Sequence, residues 1–179
     1  HTKRVRLTTG IAVAFPRSPM VTAQMAWDLQ RLSGGRFQLG LGALVKGHNE
    51  RRYGIPWTGP PGPRMREYVL CLKAIFETFQ TPEAPRFFEG EHFRFSMAPE
   101  VFMAKPIDTP QIPIHVAALN PYMCRLGGEL CAGVFAHPVC TPRYVEQVML
   151  PAIEEGAVKS GRSLGEINVI GSPDQKSVV

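Results

Sequence analysis

The sequence predicts an α/β protein built on parallel strands, and three observations carry that expectation. Short β-branched and apolar runs alternate with stretches of helical spacing along most of the 179 residues. Ser, Asn, Pro and Gly stand at the junctions, where helices start and stop. Strands separated by helices pair in parallel through right-handed crossovers, which leaves two architectures, an open doubly wound sheet and a closed barrel. Periodicity does not choose between them.

Residues 5–15, VRLTTGIAVAF, are β-branched and apolar and predict a strand. Residues 16–19 break it, and MVTAQMAWDLQRLSGG follows with helical spacing, Ser18 placed to cap, Pro19 in the first turn, and Gly34 and Gly35 to stop it. Met20, Ala23, Trp27, Leu29 and Leu32 are expected to face a sheet. RFQLGLG reads as a second strand, and residues 43–63 as a Gly/Pro-rich loop of a length that is usually functional or disordered. Residues 64–80 form an amphipathic helix that buries Val69, Leu72, Ile75, Phe76 and Phe79. FFEGEHFRF, residues 87–95, alternates around Glu89 and Gly90 as a small inserted hairpin. The rhythm then resumes with strands at 112–118, 133–137 and 167–171 and helices at 121–130 and 142–160. Five strands alternate with four helices.

A hydrophobic content of 44% can fill a core, and the longest apolar runs fall far short of the roughly 20 residues of a spanning helix. With no signal-peptide pattern at the start, the expected location is cytoplasmic, with no membrane partner. Cys71, Cys124, Cys131 and Cys140 form no CxxC pair and have no histidine at ligand spacing, so they are expected to be buried reduced thiols and no metal is expected. The net charge of +5 suits an anionic ligand, but Lys and Arg are interspersed with acids, which argues against nucleic acid. The chain starts at His1, and Val5 already lies in a pattern that needs sheet neighbours, so a preceding segment is expected.

Three strand ends are candidate ligand sites. Thr9, Gly10, Ile11 and Ala12 are small or apolar residues in the first strand. Gly40, Leu41 and Gly42, followed by Ala43 and Leu44, would let backbone approach a flat ring, although glycine in a strand also marks bulges. Ala117, Ala118, Leu119, Asn120, Pro121, Tyr122 and Met123 form a strand-to-helix junction in which Asn120 caps the helix and exposed amides favour a phosphate. In parallel α/β proteins ligands bind at the carboxyl ends of strands, so three such ends together say more than one. Among the histidines, His48 in the long loop and His137 near a strand end are candidate acids or bases, whereas His92 reads as surface and His115 as core. No GxSxG, P-loop, GxGxxG or HExxH pattern occurs, so hydrolase, nucleotide-hydrolase, dinucleotide and metalloprotease signatures are lacking. A bound cofactor is the expected source of chemistry.

The segments AFPRSPMVTAQMAWDLQRLSGGRFQLGLG, RMREYVLCLKAIF, FEGEHF and IPIHVAALNPYMCRLGGELCAGV, in that order, resemble the luciferase-like monooxygenase superfamily, and in particular its branch that uses coenzyme F420, a 5-deazaflavin. The resemblance runs from about residue 7 to residue 170. It implies a partial (β/α)8 TIM barrel holding about the third to seventh strands, truncated at the N-terminus and at the C-terminus, with residues 1–179 in a single domain. It further implies that Thr9, Gly10, Ile11 and Ala12 lie behind the flavin ring, often through a non-prolyl cis peptide. Gly42, Ala43 and Leu44 would border the ring edge, and Ala117 through Met123 would hold the cofactor's chain and phosphate.

The implied reaction is hydride transfer between F420 and a small organic substrate, with an FMN-dependent monooxygenase using O2 as the alternative. Two other readings remain, an inactive truncated barrel serving as an interaction module and an open nucleotide-binding sheet. Five strands leave two open edges, so a homodimer is expected.

Overall fold

The computed structural model describes residues 3–171, which fall into two compact units, 3–39 with 43–112 and 40–42 with 113–171. In the first unit the predicted strand over residues 5–15 is two short ones, β1 (Leu7–Thr8) and β2 (Ala12–Val13). Between them the Gly10–Ile11 peptide is cis. β1 pairs in parallel with the start of β3 (Phe37–Gly42), Leu7 opposite Phe37 and Thr8 opposite Gln38.

Helix α1 (Pro19–Ser33) begins and ends as its sequence dictates. Ser18 Oγ accepts the Val21 N–H at 3.2 Å, Pro19 occupies the first position, and Gly34 takes a left-handed conformation (φ 62°) that a side chain disfavours. Its packed stripe differs from the expected one. Ala23 and Trp27 are buried, but Leu29 and Leu32 are 41% and 77% exposed, and the remaining buried positions are Pro19, Thr22, Ala26 and Gln30. The polar members fit because every group is used. Gln30 Nε2 donates to the carbonyls of Thr109 and Gln111, and its Oε1 accepts the Phe37 N–H, each at 3.1 Å. Apolarity alone does not reveal that stripe.

The predicted loop at 43–63 contains a helix, α2 (Lys46–Tyr53), ended by Gly54 at φ 66°. Helix α3 (Pro61–Gln80) starts three residues earlier than expected, because Pro61 suits a first turn that has no use for its N–H. Val69, Leu72, Ile75, Phe76 and Phe79 are all buried. Against them lies Trp27, stacked on Phe76 at 5.9 Å and edge-on to Phe79 at 5.5 Å, with its indole N–H donating to the Lys105 carbonyl at 2.9 Å. Truncation of such a buried aromatic typically costs about 3–5 kcal/mol.

The hairpin is present as β4 (Phe88–Glu89) and β5 (Arg94–Phe95), antiparallel with Phe88 opposite Phe95. Its turn is held by α3. Glu67 Oε1 accepts the Glu91 N–H at 3.0 Å, and Oε2 accepts those of His92 at 2.7 Å and Phe93 at 3.3 Å. Burial alone would raise the Glu67 carboxyl, but these three backbone donors and nearby His92 hold it below its ordinary value.

In the second unit, residues 40–42 at the end of β3 accompany β6 (Ile114–Ala118), β7 (Gly133–Ala136) and β8 (Asn168–Ile170). β6 and β7 are parallel with His115 opposite Gly133, and β7 and β8 are parallel with Gly133 opposite Asn168. Helix α4 (Pro121–Leu130) connects β6 to β7. The next connection is one helical run, α5 (Pro142–Tyr144), a π turn at Val145–Met149 and α6 (Leu150–Lys159). Pro151 explains the wide turn. It has no N–H and its ring crowds the preceding turn, and the chain widens so that the Leu150 N–H reaches the Val145 carbonyl five residues back.

α4 and α6 meet backbone to backbone. A Cβ on Gly128 would overlap the Ile153 carbonyl, and a Cβ on Gly156 would overlap that of Arg125. All four cysteines are buried. Among the described residues no helix is long and apolar enough to cross a membrane. Each unit is thus α/β with parallel strands joined through helices, as the sequence predicts; the ending SPDQKSVV lies outside the described residues.

Candidate functional site

Each predicted strand end can be followed within its own unit. In the first unit, Thr9, Ile11 and Ala12 are half-buried and Gly10 is exposed. The cis Gly10–Ile11 peptide lies inside the stretch for which the resemblance implies one. Just beyond β2, Arg17 Nη1 donates to the Val13 carbonyl at 2.9 Å, and Phe15 lies beneath the guanidinium of Arg64, 4.4 Å from ring centroid to Cζ.

Ala43 and Leu44 are half-buried after the end of β3. Leu44 has φ 54°, left-handed backbone that a branched side chain disfavours. Its conformation is held by Asn49, whose Nδ2 donates to the carbonyls of Ala43 at 2.9 Å and Val45 at 3.2 Å. Asn49 is 1% exposed, and its Oδ1 is buried with no hydrogen-bond donor. Such an acceptor is costly unless a partner supplies an N–H or O–H.

In the second unit Ala117 is half-buried, Ala118 and Met123 are buried, and Leu119, Asn120, Pro121 and Tyr122 are exposed. The junction is firmly built. Asn120 Oδ1 accepts the Met123 N–H at 3.0 Å, the Asn120 carbonyl accepts that of Cys124 at 3.1 Å, and the Tyr144 hydroxyl donates to the Leu119 carbonyl at 2.8 Å. Pro121 has no N–H. The α4 start therefore leaves the Tyr122 N–H with no hydrogen-bond acceptor among the described residues, fewer open donors than an uncapped helix end offers. Gly42, which closes β3, is buried in this unit.

The histidines divide differently from the glycine-rich segments. His48 lies on α2, not in an irregular loop, and is exposed although Asn49 beside it is buried. His137 is exposed just past β7, its Nδ1 accepting the Val139 N–H at 3.3 Å. His115 is buried 5.6 Å from the Phe135 ring. His92 stands with Glu67 and Glu91, their potential ligand atoms within 4.8 Å of one another, but the Glu67 oxygens already serve the hairpin turn.

Sequence reasoning missed Asn49 and Arg64. Asn49 sits in a strongly polar helix, KGHNERRY, where nothing in the periodicity marks one amide as buried. Arg64 precedes Glu67 by three residues, a spacing that reads as a surface ion pair, yet Glu67 faces the hairpin instead.

The family model of luciferase-like monooxygenases matches residues 1–173. The Mycobacterium tuberculosis protein Rv1360 is 39% identical over 169 residues, covering 94% of this chain and 49% of the relative. The 5,10-methylenetetrahydromethanopterin reductase of Methanopyrus kandleri is 32% identical over 176 residues, covering 94% of this chain and 49% of that one. Among solved structures, the coenzyme F420 dependent tetrahydromethanopterin reductase from Methanopyrus kandleri superposes with a TM-score of 0.77 at 28% identity, over 93% of this chain and 49% of that chain. The chain spans about half the length of these relatives. With the α/β fold, the cis peptide and the glycine-rich strand end already in place, the match over nearly all its residues decides the matter: the chain belongs to the luciferase-like monooxygenase family.

Proposed function

We propose that this chain is part of an F420-dependent oxidoreductase of the luciferase-like type, moving hydride between the deazaflavin and a small organic substrate. What supports F420 is the likeness to the coenzyme F420 dependent tetrahydromethanopterin reductase, at a TM-score of 0.77 and 28% identity, and the buried Oδ1 of Asn49 beside the Ala43–Leu44 backbone, which lacks a donor, fits a ring N–H of either F420 or FMN. A flat deazaflavin ring edge carries an N–H of the kind such an acceptor lacks, so these residues fit the group.

F420, when bound, supplies a two-electron hydride carrier. The chain's own part is to hold and orient it. Thr9, Gly10, Ile11 and Ala12 offer small or apolar surface to one face, and Ala43 and Leu44 offer backbone to the ring edge. Gly42 and residues Ala117, Ala118, Leu119, Asn120, Pro121, Tyr122 and Met123 of the second unit are assigned to the ring edge and to the chain and phosphate. Reducing a carbonyl also requires a proton at oxygen, and His48 and His137 are the candidate imidazoles for it. The reading takes residues 1–179 as part of one barrel domain. It includes assembly as a homodimer, since Leu7 on β1 and Val5 beside it are 43% and 55% exposed.

The test is a titration of the full chain with F420 and, separately, with FMN, followed by fluorescence. Micromolar F420 binding that exceeds FMN binding is the expected result. Preference for FMN would move the reading to an O2-using monooxygenase, and absence of submillimolar binding of either would end it.

A further inference from the structure

Arg64 occupies an unusual position for a guanidinium. It lies over the Phe15 ring at 4.4 Å and 5.7 Å from that of Phe93, and Phe15 in turn meets Trp57 edge-on at 6.3 Å. Aromatic faces attract a cation but accept few of its five N–H donors. Among the described residues no carbonyl or carboxylate accepts from Arg64. Its natural partner one helical turn on, Glu67, is committed to the Glu91, His92 and Phe93 N–H groups. Burial lowers the Arg64 pKa from its ordinary value, as expected for a charge partly removed from water without an anion to offset it.

The surroundings add to this. Phe15 follows β2 by two residues, and Arg17, on the same connection to α1, anchors one nitrogen on the Val13 carbonyl and pairs with no acid among the described residues. Elsewhere in this unit Glu77 pairs with Arg86 and Glu89 with Arg94, so neither carboxylate is offered to Arg64 or Arg17. Two uncompensated guanidiniums thus flank the end of the strand that follows Thr9, Gly10 and Ile11. One lies over the Phe15 ring and near that of Phe93, with its hydrogen-bonding fork unused. That combination suits bidentate recognition of an oxyanion.

We propose that Arg64, assisted by Arg17, receives the oxyanion of the bound small molecule, a phosphate or carboxylate group, at the end of β2. The inference deepens the proposed function, on which it rests for a small molecule entering at this strand end. The oxyanion belongs either to the substrate or to the cofactor's own phosphate, and in the second case Arg64 takes the place that the proposed function gives to residues 117–123.

The test is a 31P NMR titration of the full chain with inorganic phosphate. Arg64→Met keeps an apolar stem between Phe15 and Phe93 but removes the fork, and Arg64→Lys keeps the charge without it. Phosphate affinity is expected to fall about tenfold or more in Arg64→Met and by a smaller factor in Arg64→Lys. The circular dichroism spectrum should be unchanged. Arg17→Gln, which leaves the aromatic sandwich intact, should weaken phosphate as well and serves if Arg64→Met fails to fold. Equal affinity in wild type and both folded Arg64 variants overturns the inference, as does a wild type that binds no phosphate below about 50 mM.

Two further arms assign the source. If the anion is the cofactor's, Arg64→Met weakens F420 but not a phosphate-free deazaflavin nucleoside, and phosphate competes with F420. If it is the substrate's, both deazaflavins bind the variant as they bind wild type, and phosphate still binds the F420-loaded protein. A wild type that binds phosphate through Arg64 but binds neither F420 nor FMN would sink the oxidoreductase reading while leaving the anion site standing.

Discussion

Asn49 reaches back across Leu44, its Nδ2 donating to the carbonyl before that residue at 2.9 Å and to the carbonyl after it at 3.2 Å. One side chain therefore fixes both peptide groups around a left-handed leucine. Asn49→Ala should cost about 1–3 kcal/mol in urea unfolding, because two carbonyls lose their donor. Leu44→Gly should fall within about 1 kcal/mol of wild type, relief of the left-handed backbone offsetting lost contacts and a freer unfolded chain. Leu44→Val should cost more than Leu44→Gly, since branching at Cβ worsens the same conformation. A valine variant as stable as the glycine one would show that Asn49 is not restraining Leu44.

Asn120→Asp tests the junction at α4. Aspartate caps helices as well as asparagine does, so stability should move by less than about 0.5 kcal/mol. F420 affinity should nevertheless fall about fivefold or more, because a second anion would stand beside the available Tyr122 N–H. Fluorescence titration of the variant measures it, and an unchanged Kd removes Asn120 and Tyr122 from the proposed phosphate site.

The α4–α6 crossing should be among the least tolerant places in the second unit. Gly128→Ala and Gly156→Ala each drive a methyl into a carbonyl of the opposite helix, and each should cost roughly 3 kcal/mol or more. The double variant should lose less than the sum, because the helices separate once for both. Gly161, with φ 73° and no atom near its missing Cβ, is the control. Gly161→Ala should cost about 1 kcal/mol, a purely conformational penalty. Thermal or urea denaturation ranks the three.

Alkaline pH should weaken the protein. Burial pushes the Tyr68 hydroxyl up to about 12, against the lowering effect of its 2.6 Å hydrogen bond with Thr22. Burial likewise pushes the Cys71 thiol up to about 11 and the Cys124 thiol up to about 12. A group whose folded pKa is raised contributes its stability fully below the unfolded pKa and loses it as pH rises through the folded one. The window therefore opens near 9 for the thiols and near 10 for the tyrosine and closes near 12. Urea midpoints taken from pH 7 upward should stay level to about 8.5 and then fall. A level profile to pH 11 would mean that these groups are open to solvent.

The elements were legible where a local rule and the packing agree. Ser18, Pro19 and Gly34 delimit α1 because capping is chemistry between near neighbours, and Asn120 with Pro121 does the same for α4. The buried stripe of α1 was not legible, since Gln30 is inside only because carbonyls of Thr109 and Gln111, some 80 residues away, accept its hydrogen bonds. The break between β1 and β2 falls at Gly10, inside the run read as one strand, because a single glycine there is equally consistent with a continuous strand. The glycine-rich segments proposed as the site were named from the sequence. Asn49, Arg64 and Glu67 could not be, because each acts through a partner that the spacing along the chain does not indicate.

The tip of the β4–β5 hairpin is an exposed turn, the sort of place where chains ordinarily accept inserted residues. Here Glu67 grips three consecutive N–H groups, and Gly90 leaves no room for a side chain against that carboxylate. The tip is therefore fixed in length as well as in shape, and an extra residue between Gly90 and Phe93 would release the hairpin from α3. Length variation in this insertion is instead to be accommodated after β5, where Met97, Val101 and Phe102 stand 73%, 82% and 73% exposed.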